Sequence, residues 1–177
     1  MKIGIISDTH DQVESIKKAI EILNKEKIGL AYHLGDICSP FVLPLFKEIK
    51  CNVKAVFGNN DADIFKLVKR APENFSFHDR FFVDELNGKK ICLFHGDPEE
   101  LALRLFESGK YDLLLRGHNH VAEIKRNEKT LMINPGNLIG KFNEASKDWT
   151  EPSVAVYDFE KDIAKIRKCK MNYKISF

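Results

Sequence analysis

The sequence predicts a layered α/β fold whose sheet structure cannot be wholly parallel. Three observations carry this. Short apolar runs alternate with segments of helical periodicity from the N-terminus onward. The C-terminal part instead reads as strands alone. Between them, Asn87-Gly88 is the strongest hairpin signal in the chain and forces an antiparallel pair.

The first run, KIGIIS, is a buried-strand pattern that ends at Asp8. Residues 12–26 set Val13, Ile16, Ala19, Ile20 and Leu23 at helical spacing. Residues 29–34 read as a second strand, stopping at Gly35-Asp36. A helix from about Ser39 to Ile49 follows, with Ser39 as N-cap and Pro40 at the first helical position, where no N–H is needed. VKAVF is a third strand ending at Gly58-Asn59-Asn60-Asp61, and residues 63–70 are helical. The second strand of the Asn87-Gly88 hairpin, KICLF, ends at His95-Gly96. Residues 97–108 place Leu101 and Leu105 on one helical face, and YDLLLR is a strand ending at Gly117-His118. Residues 121–134 suggest a hairpin, and 153–159 with 163–169 a closing pair. In between, Ile139–Glu151 reads as a long polar loop holding Lys141, Phe142, Lys147 and Trp149. It is either packed on the surface by its tryptophan or placed over the crevice to tune substrate choice.

The length of 177 residues suits one domain, 1–177, with a single core. Hydrophobic residues at 44% and charged residues at 31% are an ordinary soluble balance. No apolar run approaches the roughly 20 residues that cross a bilayer, so no membrane partner is expected. The opening MKIGIISDTH meets a carboxylate too early for a signal peptide, which points to the cytoplasm. A net charge of +2, spread along the chain, argues against a nucleic-acid partner. Cys38, Cys51, Cys92 and Cys169 form no C-x-x-C pair and read as free thiols. A homo-oligomer is compatible with the sequence, which does not fix the state.

Chemistry concentrates where strands end. Asp8 and His10, Asp36, Asn59, His95, and His118 with His120 all follow strands, and in open α/β sheets the carboxyl ends of strands form the ligand crevice. Strand residues two apart point the same way, so Asp8 with His10, and His118 with His120, are expected to converge. Gly35, Gly58, Gly96 and Gly117 stand beside them, where a Cβ would crowd a metal. Two carboxylates, an amide oxygen and four imidazoles, without sulfur, suit manganese, iron, zinc, cobalt or nickel and disfavour calcium. Such a set exceeds one tetrahedral centre and fits two divalent ions. A pair of this kind clamps both oxygens of an in-line displacement and acidifies a bound water. His33 and His78 belong to no motif and read as structural, Cys38 as packing, and Ser7 lacks the context of a nucleophile.

The series D-x-H, G-D, G-N-N-D, H-G and G-H-N-H resembles that of the calcineurin-like metallophosphoesterases, and most closely their small archaeal and bacterial YfcE-like phosphodiesterase branch. The likeness runs from Met1 to about Asp158 and includes Asn134-Pro135-Gly136. It implies a four-layer αββα sandwich of two mixed sheets flanked by helices. It also implies a binuclear phosphodiesterase acting on a small phosphate ester, with manganese as the first choice of metal. By this resemblance Asp8, His10 and His120 hold one metal, Asn59, His95 and His118 the other, and Asp36 bridges them. Two positions depart from the family. Asn60 stands where many members carry a histidine that protonates the leaving group or holds the phosphate, so Asn60 is the candidate catalytic residue with no proton to give. Asp97 stands where branch members often show a second histidine, which leaves the substrate open. The resemblance also admits a scaffold like the retromer sorting subunit, which has lost ligands, or a nuclease. The intact donor set disfavours the first, and the weak basic charge disfavours the second.

Overall fold

The computed structural model describes residues 1–143 and 148–170. Strand β1 (Lys2–Ile6) turns Ile3 and Ile5 to one side and Gly4 and Ile6 to the other, and both sides are buried. It therefore reads as a continuous apolar run and belongs inside a sheet. On one flank lie β2 (Leu30–His33), β3 (Asn52–Ala55) and β4 (Phe75–Phe77), all parallel. On the other lie β12 (Ser153–Asp158) and β13 (Ile163–Lys168), antiparallel, giving the order β13-β12-β1-β2-β3-β4.

A second sheet contains β5 (Phe81–Leu86), β6 (Lys89–Phe94), β7 (Leu113–Leu115), β8 (Glu123–Arg126) and β9 (Leu131–Asn134). Its order is β5-β6-β7-β9-β8, with the central three parallel and both edges antiparallel. Ile3, Ile5 and Tyr32 of the first sheet, with Val56 just past β3, pack against Ile91, Leu93, Leu113, Leu115 and Ile133 of the second. The first sheet's other face is covered by α1 (Val13–Lys25), a 3-10 helix (Pro40–Glu48) and α2 (Ile64–Arg70) through Ile16, Leu23, Phe46 and Leu67. Helix α3 (Glu99–Glu107) covers the second sheet through Ala102 and Phe106. The expected order helix, sheet, sheet, helix is the one found. Between the sheets, Asp84 accepts from Tyr32 Oη at 2.8 Å and from Lys54 Nζ at 2.5 Å.

Four local features differ from the sequence reading. Pro40–Glu48 winds as a 3-10 helix because Pro44 has no N–H to give and its ring opposes a regular α turn. Ser39 does not cap it, since its hydroxyl donates to Asp11 Oδ2 at 2.7 Å. Strand β4 was not anticipated; with three residues it is too short to show an alternation. The expected long loop is also more ordered than a loop, because β10 (Lys141–Asn143) pairs antiparallel with β11 (Asp148–Thr150). The reading of Lys147, and of the side chains of Lys141, Phe142 and Trp149 as packing or substrate-tuning groups, lies outside the described residues.

His33 belongs to the helix-side core, edge-on to Phe46 at 5.7 Å, and is fully buried. Its Nδ1 accepts from Gly35 N–H at 3.2 Å while Nε2 has no partner among the described residues. Burial pulls its pKa down to about 4 against the opposing influence of Asp61, Asp8 and Asp36. In the unfolded chain the ring titrates near its ordinary 6.5. Between those values only the unfolded state takes up the proton, so acidification removes stability by about 1.4 kcal/mol per pH unit. His10, whose pKa is raised, contributes in the opposite sense. The two are separated by comparing urea midpoints at pH 7 and pH 5, in chelator, for the parent and His33→Gln. The variant is expected to lose less stability on acidification, and equal losses would refute the assignment.

Candidate metal centre

All of the donor residues singled out in the sequence meet at one end of the two sheets. Asp8, His10, Asp36 and Asn59 follow β1, β2 and β3 of the first sheet. His95, His118 and His120 follow β6 and β7 of the second. Two groups form: Asp8 with His10 and His120, and Asp8 with Asp36 and His95. His120 Nε2 is 3.2 Å and His10 Nε2 is 3.8 Å from Asp8 Oδ1. Asp36 lies across both groups, its Oδ2 3.4 Å from His10 Nε2 and its Oδ1 3.5 Å from His95 Nε2. Asn59 Oδ1 completes the far side, 2.9 Å from His95 Nε2 and 3.1 Å from His118 Nδ1.

The expected convergence of His118 with His120 is corrected by this geometry, since His118 faces Asn59 and His120 faces Asp8. Both residues stand past the end of β7 with positive φ, 73° and 61°, so strand alternation no longer governs them. Asp8, His10 and Asp36 also have positive φ, which bends each loop back over the strand ends. The glycines make room. A Cβ at Gly117 would collide with Ser7 Oγ and lie 2.6 Å from Asp8 Oδ2, and one at Gly58 would collide with Asp36.

A shell of hydrogen bonds holds the loops. The sequence reading missed Asp61, which is 4% exposed and accepts from the backbone N–H groups of Asp36, Ile37, Cys38 and Gly58 at 2.7–2.9 Å. Its signal was the Asp closing G-N-N-D. Asp11 accepts from Ser39 N–H at 2.9 Å, and Asn137 Nδ2 donates to His120 O at 3.0 Å. Asn60 donates to both oxygens of Asp36, from its backbone N–H at 2.9 Å and from Nδ2 at 2.7 Å. Asp97 is exposed on the loop after His95.

The donor set fits divalent cations. Asp8 Oδ1 and His10 Nε2 are buried without a hydrogen bond among the described residues. Burial alone would raise the Asp8 carboxyl, but His10, His120 and the Ser7 hydroxyl outweigh it and hold the acid below the usual carboxylate range, as an anion. His95 Nδ1 lies 2.8 Å from Leu34 O, which accepts from its N–H and leaves the lone pair on Nε2. That lone pair and Asn59 Oδ1 are both acceptors at close range, a pairing that a shared cation satisfies. Cys38 Sγ is 3.3 Å from His10 Nδ1, so it orients the ring and is more than packing. Burial, with Asp36 and Asp11 nearby, pushes this thiol up to about 12.

Nitrogen and oxygen donors at the strand ends of a two-sheet sandwich define a metal-dependent phosphoesterase. The chain belongs to the calcineurin-like phosphoesterase superfamily, whose domain matches residues 1–162. Phosphodiesterase MJ0936 of Methanocaldococcus jannaschii is 35% identical over 91% of this chain and 95% of its own. The structure of an archaeal phosphodiesterase is 33% identical and superposes with a TM-score of 0.85, covering 95% of this chain and 99% of that one. Vps29 of Chaetomium thermophilum, 18% identical with a TM-score of 0.69 over 95% and 96% of the two chains, shares the fold alone.

Proposed function

We propose that the protein is a cytoplasmic phosphodiesterase that works with two divalent transition-metal ions, manganese foremost, on a small phosphodiester. The observation that carries the two-ion reading is Asp36, whose oxygens face His10 on one side and His95 on the other. Asp8, His10 and His120 would hold one ion, and Asn59, His95 and His118 the second. When bound, such a pair supplies an acidified water and neutralises charge on the phosphoryl oxygens. The chain's own residues keep the donors in place, through Asp61 and Asn137, and keep Asp8 ionised. Asn60 fixes the Asp36 carboxylate and has no acidic proton to offer the departing alcohol. The diester reading draws support from the phosphodiesterase relative at 35% identity. Among the described residues no helix is long and apolar enough to cross a membrane. All the positions that could hold metal carry donor residues, which favours an enzyme over a scaffold.

The test is a turnover panel of phosphomonoesters, linear diesters and cyclic nucleotides with manganese, nickel, iron, zinc and cobalt in turn. Diester hydrolysis above monoester hydrolysis, abolished by chelator and restored by metal, is expected. A preference for monoesters with every metal, or turnover that persists in chelator, would overturn the reading.

A further inference from the structure

The loop carrying His95 and the loop carrying His118 and His120 leave neighbouring strands, and one buried arginine spans them. Along β7, Leu113 and Leu115 face the first sheet whereas Leu114 faces α3. Alternation therefore turns Arg116 toward α3, where its side chain is 2% exposed. Its Nη2 donates to Glu99 Oε1 at 2.9 Å, in the first turn of α3 and just beyond His95, while its Nε has no partner among the described residues. The same Glu99 oxygen accepts from Asn119 Nδ2 at 3.3 Å, and Asn119 stands between His118 and His120. Asn119 Oδ1 in turn accepts from Asn134 Nδ2 at 2.9 Å. Gly117 N–H donates to His95 O at 2.7 Å, so the two loops also touch through backbone.

The Glu99 side chain is 52% exposed, but loss of its carboxylate would leave the buried guanidinium without its anion, so Arg116 is held to Glu99. Each is fixed to a different donor loop. We propose that Arg116 and Glu99 are positioning residues that set the separation of His95 from His118, and with it the affinity of the half-site completed by Asn59. This rests on the two-metal reading above. The other half-site is less dependent on them, because Asn137 holds the His120 backbone independently.

The test is calorimetric titration of chelator-stripped protein with manganese alone, for the parent, Glu99→Gln and Glu99→Asp. Glutamine keeps the shape and removes the charge facing Arg116. One manganese equivalent is expected to weaken by about 10–100-fold in Glu99→Gln, as for other residues that orient metal ligands, with partial recovery in Glu99→Asp. The second equivalent should change by less than about threefold. A purely structural role would lower the melting temperature and leave both affinities of the folded protein unchanged. Unchanged affinities would thus overturn the positioning role while the two-metal reading stands, and a parent that binds at most one ion would overturn both. If Glu99→Gln does not fold, the double variant Glu99→Met with Arg116→Met removes both charges together, and parent-like affinities there also overturn the role.

Discussion

Asp36→Asn is expected to fold as the parent does and to lose activity by on the order of 10³-fold or more. The carboxylate is 1% exposed and faces an imidazole from each side of the centre. Its negative charge is the one feature an asparagine cannot reproduce opposite the two cations proposed above. The fold should survive because the surrounding bonds can rearrange. Asn60 N–H still finds an oxygen at position 36, and the Asn60 amide can rotate to present its own oxygen to the new NH₂. The loop itself hangs from Asp61 rather than from the Asp36 side chain. Circular dichroism should match the parent, and metal analysis should find less bound manganese. Parental turnover in the variant, or full turnover of the parent with at most one bound ion at saturating manganese, would sink the bridging role.

The second large effect concerns the leaving group. With Asn60 beside the centre and no proton to give, a departing alkoxide leaves largely unassisted. Aryl diesters, whose phenolates are stable without a proton, should be cleaved far faster than alkyl diesters, and the rate should depend steeply on leaving-group pKa. Asn60→His should accelerate alkyl diesters by up to about 10²-fold, the low end of general-acid effects, and leave aryl diesters nearly unchanged. The backbone bond from residue 60 to Asp36 survives this substitution, so the carboxylate keeps one of its two anchors. Single-turnover rates across a substrate series measure this directly. Similar chemical rates for alkyl and aryl diesters in the parent would mean that another group supplies the proton.

The donors were legible in the sequence because each stands at a strand end next to a residue that permits a sharp turn. Runs such as KIGII, buried on both faces, mark the strands plainly, and α1 shows its apolar stripe. What the sequence hid was conformation beyond the strands. The split of His118 from His120, implied by the resemblance alone, depends on left-handed backbone, which period-two reasoning does not contain. Pro40 signalled a helix start, but Pro44 decided which kind of helix followed. Asp61 and Arg116 were missed for a shared reason. Their importance lies in burial and partners, and a charged residue at the end of an apolar run looks the same whether it faces solvent or the interior.

The centre draws Asp8, His10, Asp36 and Asn59 from one sheet and His95, His118 and His120 from the other. Ions held there would rivet the two layers together across their seam. The protein's lifetime would then follow its metal supply, because a ligand that binds only the closed form suppresses opening in proportion to its concentration. Molecules starved of metal would part their sheets more often and offer themselves to proteases sooner, so that a cell short of the ion would keep fewer copies of an enzyme it could not use.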